Sequence, residues 1–283
     1  MKKLFNHAVF LLALMAFTAA CSLVGVNQDA GAGVSSAGTP GSALSRITQR
    51  GELVLGTSGN MPPMTEARAD GKVIGFDIDM ARLMANGMNV KLRIEVLPFE
   101  QLLPALERGE VDVVISNLTM TPERNLHAAF VGPYMTSGKC VITRREDLAK
   151  AEEAADINVP ETRLAALAGS TSADFVTTLL PRATLTLVQS NEAGVELITG
   201  NKVDGMLADY PVCLSILQRH PDAGFVSLFS LLDYEPIGIA LPAGDAQFIN
   251  WTENFLQRVQ GVGLFEELSN RWFGMVVATD EQK

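Results

Sequence analysis

The stretch Gly109-Glu110-Val111-Asp112-Val113-Val114-Ile115-Ser116-Asn117 has a counterpart later in the chain, Asn201-Lys202-Val203-Asp204-Gly205-Met206-Leu207-Ala208-Asp209. In each, a Val-Asp pair opens an apolar run of strand character. A polar residue stands five positions beyond each aspartate: Asn117 after Asp112, Asp209 after Asp204. Open α/β sheets hold ligands just outside the carboxyl ends of their strands. The two phrases therefore predict two similar lobes, with Asn117 and Asp209 at equivalent strand mouths on a shared cleft.

The flanking sequence repeats one pattern. Leu53-Val54-Leu55-Gly56 reads as a buried strand. Asp77 stands where it can cap a helix whose apolar face is Met80, Leu83, Met84 and Met88. Leu92–Leu97 reads as a strand, Glu100–Arg108 as a helix stopped near Gly109, and Val111–Ser116 as a strand. The second half gives strands at Arg163–Leu167, Thr184–Val188 and Val203–Ala208. Its helices are Ala173–Leu180, Asn191–Thr199 and one opened by Pro211. Two helices close the run, Ala246–Gln260 and Leu264–Phe273. Strands alternating with helices define an α/β protein with a parallel or mixed sheet.

The chain has 283 residues, 22 Lys+Arg and 32 Asp+Glu, for a formal net charge of −10. That is enough chain for two lobes of ordinary size. The acidic balance argues against nucleic acid, because phosphate binding needs a basic surface. His7, His127 and His220 are far apart, and the three cysteines lack paired spacing, so no zinc site is expected. P-loop, GxGxxG and GxSxG motifs are absent. No metal or cofactor is expected.

Lys2 and Lys3 precede an apolar run of 13 residues, Ala8–Ala20. That run is too short to span a bilayer but suits the core of a secretory signal. Thr18-Ala19-Ala20-Cys21 resembles a bacterial lipobox, with Thr18 where Leu is usual. The resemblance implies a signal peptide over 1–21 and lipidation of Cys21; the other reading is ordinary cleavage near Ala20. Residues 22–45 are rich in Gly, Ser and Ala and read as a flexible tether. A lipid-anchored exported protein follows, in the periplasm or on the outer face of the cytoplasmic membrane. No other segment is apolar enough to span a bilayer.

Five phrases carry a family resemblance. They are GFDIDMARLMANGM (Gly75–Met88), FEQLLPALERGEVDVVIS (Phe99–Ser116), LTMTPER (Leu118–Arg124), GPYMTSG (Gly132–Gly138) and RWFG (Arg271–Gly274). In this order, over Leu53 to Gly274, they resemble the bacterial extracellular solute-binding proteins of family 3, receptors of polar amino acid ABC importers. The resemblance implies a type II periplasmic-binding-protein fold: two α/β lobes, two hinge strands and a ligand cleft between them. It sets the crossings near Thr136–Lys139 and Leu232–Pro236. Lobe 1 is then 46–137 with 236–274, lobe 2 is 138–235, and 275–283 is a C-terminal tail.

A zwitterionic ligand needs a cation and N–H donors for its carboxylate and an anion for its ammonium. Arg124 offers a planar fork for a carboxylate, though alone it reads equally as a helix-surface arginine. Thr119 resembles the family's carboxylate-binding threonine. Gly169-Ser170-Thr171-Ser172 precedes a helix, and by resemblance Thr171 completes the clamp; a plain N-cap fits the same geometry. Asp209 matches the family's acceptor for the α-ammonium, or is simply a turn residue before Tyr210-Pro211. Asn117 lies at the lobe-1 mouth. Met61 and Phe99 match positions flanking the ligand side chain, unless they are core packing, and Ser58 matches a position often Asp in binders of cationic side chains. Glu66, beside Arg68, reads as a surface charge. The set predicts a neutral amino acid ligand.

The expected function is capture of that amino acid by lobe closure and delivery to a permease, by a monomer without catalysis. Two rivals stand beside it. One is a sensor lobe reporting to a membrane signalling protein. The other is a cyclohexadienyl-type dehydratase, which requires an acid in the loop that here reads Gly169–Ser172; Asp174 is expected to point along the helix instead. Cys140 and Cys213 remain open between a disulfide, which export permits, and two buried thiols.

Overall fold

The computed structural model describes residues 42–151, 153–229 and 234–277. The signal segment, Cys21, the tether up to residue 41, part of the second predicted crossing and residues 278–283 lie outside the described residues.

The described residues open with helix α1 (Ala43–Arg50), so Ala43–Ser45, read from sequence as the end of a tether, are helical. The reason is local: the Ser42 hydroxyl caps α1 by accepting from the Ser45 N–H, and donates to Asp245. Strand β1 (Glu52–Thr57) follows, then a small antiparallel sheet of β2 (Asn60–Met61), β3 (Thr65–Ala67) and β4 (Val73–Ile74) that the sequence pattern did not reveal. Next come α2 (Phe76–Gly87), β5 (Lys91–Val96), a short 3-10 turn running into α3 (Leu102–Glu107), β6 (Val113–Val114), α4 (Pro122–Asn125) and β7 (Ala128–Ser137). Gly138 leads into β8 (Lys139–Thr143), α5 (Glu146–Ala149), α6 (Ala154–Ile157), β9 (Arg163–Leu167) and α7 (Thr171–Leu179). β10 (Thr184–Val188), α8 (Asn191–Thr199), β11 (Gly205–Asp209), α9 (Tyr210–Arg219) and β12 (Val226–Phe229) complete this part. The chain returns through β13 (Glu235–Pro242), α10 (Ala246–Gly261) and α11 (Leu264–Val277).

Two five-stranded sheets result, ordered β5-β1-β6-β13-β7 and β10-β9-β11-β8-β12. In the first, β1 is parallel to β5 and β6 while β13 runs antiparallel to its neighbours. In the second, β9 is parallel to β10 and β11, and β8 runs antiparallel to its neighbours. The chain changes sheet between Ser137 and Lys139, and again between β12 and β13. Glu235, expected at the end of lobe 2, is instead the first residue of β13 and pairs with Ser137. The last helix runs on to Val277, past its expected end at Phe273 and into the stretch read as a C-terminal tail.

The repeated phrases do equivalent work in the two sheets. Asp112 accepts the Val54 N–H at 2.8 Å, and Asp204 accepts the Arg163 N–H at 2.9 Å. Each aspartate thus ties its own strand to the start of the neighbouring one. The regular strands are shorter than the sequence pattern suggests: β6 keeps only Val113–Val114, and β11 begins at Gly205.

Met80 and Met84 of α2 are buried with Phe76 against Leu53, Leu55 and Phe248. Each such side chain contributes roughly 1.5–3 kcal/mol by leaving water. Gly75, not Asp77, precedes α2 as its cap residue. At its φ of 138° a Cβ would stand 2.1 Å from the Met64 carbonyl oxygen, so only glycine fits. In the second lobe Cys140 of β8 and Cys213 of α9 form a disulfide with Cα atoms 6.5 Å apart. No described helix is long and apolar enough to cross a membrane.

Candidate functional site

Asp77 lies in the first turn of α2 and is fully buried. One carboxylate oxygen accepts the Asn117 backbone N–H at 2.7 Å, the other the Tyr134 hydroxyl at 2.8 Å. Asn117 adopts the left-handed region, with φ of 48°, which turns the chain sharply beyond the strand. Burial pushes Asp77 up to about 7, against the pull of both hydrogen bonds. Between about pH 4 and pH 7 the folded protein then holds a proton that the unfolded chain releases. Stability is therefore expected to fall as pH rises through that window, by up to ~1.4 kcal/mol per pH unit, and to level off above it. Asp77→Asn should flatten this slope in urea unfolding across the same range; an unchanged slope would assign it to other groups.

The strand mouths meet. The Asn117 side-chain amide donates to Asp209 at 2.7 Å, joining the two lobes. The same amide nitrogen lies 3.9 Å from the Met61 sulfur. Its oxygen is buried and has no partner among the described residues. Ser58 and Met61 are both buried. The Ser58 hydroxyl accepts from Ser116 at 3.0 Å, so Ser58 is held just past the end of β1, against the residue preceding Asn117.

Thr121 caps α4 and starts the turn that aims Arg124 inward. The guanidinium donates to the Thr119 carbonyl of lobe 1 at 2.9 Å and to the Gly169 carbonyl of lobe 2 at 3.0 Å. It stands 5.7 Å from the centroid of the Phe99 ring, a cation–π contact. Among the described residues it makes no ion pair. Burial lowers its affinity for a proton; Asp209, Asp174 and Glu235 oppose this through space. On the lobe-2 side, Ser170 caps α7 by accepting the Ala173 N–H, and Thr171 follows it. Thr119 and Thr171 bring their hydroxyls 3.5 Å apart.

Lys139 and Glu235, read from sequence only as hinge residues, are central to the site. Both are 1% exposed. The Lys139 ammonium reaches Thr171 Oγ1 at 2.6 Å, Asp209 Oδ1 at 2.8 Å and Glu235 Oε1 at 2.8 Å. Glu235 Oε2 accepts the Thr119 hydroxyl and, at 3.0 Å, the Thr171 hydroxyl. Burial works against the charged lysine, but the two carboxylates outweigh it and hold its affinity for a proton above the ordinary value. The available signal was a lysine opening the otherwise apolar strand Lys139-Cys140-Val141-Ile142, and a glutamate at the matching return.

An open cleft of about 740 Å³ adjoins this cluster, lined by Arg124, Thr119, Thr171, Glu235, Tyr234 and Asp174. Asp174, expected to point along its helix, lies on the cleft wall because α7 presents that face. Glu66 pairs with Arg68 at 3.8 Å on the surface. The structure thus gathers Asn117, Thr119, Arg124, Thr171 and Asp209, puts Phe99 and Met61 beside them, and leaves Ser58 on Ser116. Among the described residues no group of three or more His, Cys, Asp or Glu could hold a metal ion.

A cleft between two α/β lobes, lined by paired ions and hydroxyls, defines a class of small-solute receptors. The chain belongs to the bacterial extracellular solute-binding proteins, family 3, whose profile it matches over residues 53–275. It is 26% identical to the cyclohexadienyl dehydratase of Pseudomonas aeruginosa over 96% of both chains. It is also 26% identical to the ABC transporter arginine-binding protein 1 of Escherichia coli, over 78% of this chain and 90% of the relative. Among solved structures, an ancestral amino acid-binding protein, a precursor of cyclohexadienyl dehydratase, is 30% identical with a TM-score of 0.76 and covers 82% of this chain and 99% of its own. A lysine-bound binding component of an ABC transporter from Wolinella succinogenes is 32% identical with a TM-score of 0.75, covering 79% of this chain and 96% of its own.

Proposed function

We propose that the protein is an exported receptor that captures an amino acid with an uncharged side chain between its lobes and hands it to an ABC importer permease. The observation that carries this reading is Arg124: a desolvated guanidinium at an open cleft, bonded to one carbonyl of each lobe and to no carboxylate. A half-buried charge without a counter-ion is costly, and a ligand carboxylate would relieve it. Opposite, Asp209, Glu235 and Lys139 together carry one net negative charge, and the unpartnered Asn117 oxygen adds an acceptor. A ligand ammonium suits that side. Met61 and Phe99 add apolar surface beside the cluster, and Asp209 and Glu235 are already spanned by Lys139. The acids left on the cleft wall, Glu123 and Asp174, are exposed and screened by water, so no buried counter-ion is open to a cationic side chain.

The names of relatives agree in kind: they include binding proteins for arginine, cystine and glutamine. The Cys140–Cys213 disulfide suits an exported protein, since such bonds persist outside the reducing cytosol. Cys21 would then carry the lipid that holds the domain, as a monomer, at the membrane. The dehydratase relative supports a second reading, favoured by Asp174 and Glu235 on the cleft wall. Against it, the Gly169–Ser172 loop has no acid and Glu235 is bound to Lys139.

A thermal-shift screen with Arg, Lys, His, Glu, Gln, Met, Leu and Phe tests the proposal. A ligand at ~100 times its dissociation constant adds ~2.7 kcal/mol of stability. A neutral member should give the largest shift. If Arg or Lys does, the neutral assignment fails; if none does, the receptor reading fails.

A further inference from the structure

Lys139 and Glu235 stand at the two places where the chain passes between sheets, one opening β8 and the other opening β13. We infer that this buried pair is the charge determinant of specificity, fixing the net charge of the ligand the cleft accepts; the inference rests on the amino acid receptor reading. An ammonium has three protons to donate. Lys139 directs them at Thr171, Asp209 and Glu235, all within 2.8 Å. Neither carboxylate is left as an open counter-ion.

Four formally charged side chains meet beside the cleft: Arg124 and Lys139 against Asp209 and Glu235. Their sum is zero. Glu123 and Asp174, which line the cleft, are exposed and so screened by water. A zwitterion adds no net charge and can divide itself, carboxylate toward Arg124 and ammonium toward the Lys139 trio. A ligand with a net charge disturbs that balance, and the buried Lys139 and Glu235 feel it strongly because water screens them little. Lys139 is therefore the residue that turns away cationic side chains, and Glu235 the residue that turns away anionic ones.

The test compares ligands of similar shape that differ in charge. Titration calorimetry on wild type, Lys139→Met, Glu235→Gln and the double variant measures lysine against methionine and glutamate against glutamine. Lys139→Met leaves the cleft with one excess negative charge, and the dissociation constant of lysine relative to methionine should fall by about tenfold or more. Glu235→Gln leaves one excess positive charge, and glutamate should gain on glutamine by about the same factor. The double variant should return both ratios to wild type. A purely structural role would weaken both members of a pair alike, so ratios unmoved within about twofold in the single variants overturn the inference. Circular dichroism melts establish which variants fold. If Lys139→Met does not, Glu235→Gln decides alone, because its excess charge is expected to act in the opposite direction. Neutral binding by the wild type with unmoved ratios removes only this inference; a wild type that binds none of these ligands removes the receptor reading with it.

Discussion

Arg124→Ala is expected to weaken binding of the best amino acid by about 2–5 kcal/mol while the protein still folds. The side chain makes no ion pair among the described residues, so the fold does not depend on its charge. Its two hydrogen bonds go to carbonyls of different lobes, Thr119 and Gly169, so losing it also loosens closure. Asp209→Asn should cost a comparable amount, because it removes the anion shared by Asn117 and Lys139. Arg124→Lys is no conservative exchange here: a point charge cannot hold both carbonyls and a carboxylate in one plane. Titration calorimetry beside a circular dichroism melt checks all three. Wild-type affinity in Arg124→Ala would reject the zwitterion clamp.

The second large effect concerns the disulfide. Cys140 and Cys213 close a loop with a sequence separation of 73. Losing such a cross-link releases the unfolded chain and costs about 2–4 kcal/mol. Urea unfolding with and without reductant, or of the Cys140→Ser, Cys213→Ser double variant, should show that loss. Coincident midpoints would show that the bond contributes nothing to stability. The bond also bears on the site, for Cys140 follows Lys139 directly and Cys213 lies on the helix that Asp209 opens. Part of the loss should therefore appear as weaker ligand binding in the reduced protein.

Much of this architecture was legible because it rests on periodic patterns. The apolar stripe of α2, the repeated Val-Asp phrases and the stops at Gly109 and Gly200 are local signals, and local signals survive in sequence. So was the gathering of Asn117, Thr119, Arg124, Thr171 and Asp209, through family phrases and strand-end logic. What escaped depends on contacts between distant residues. Asp77 read as a cap because capping is local; its actual partners, Asn117 and Tyr134, lie 40 and 57 residues away. Lys139 and Glu235 looked like ordinary hinge residues because each makes sense only beside the other. The short sheet of β2, β3 and β4 was hidden by a stretch with neither strand nor helix periodicity. The pairing of Cys140 with Cys213 needed the distance between β8 and α9, which no spacing rule supplies.

The insertion of β13 between β6 and β7 orders events as the chain is made. The second sheet is complete once β12 has left the ribosome, and its contacts lie within one continuous stretch. The first sheet cannot close then: β7 has no partner in it except β13, and β13 comes only after the whole second lobe. Long-range pairings of this kind form late, because the loop they close must be ordered first. The half of the molecule that begins synthesis is thus the last to finish folding. Until it does, β6 and β7 present unpaired edges, the surface most open to wrong partners in a nascent chain.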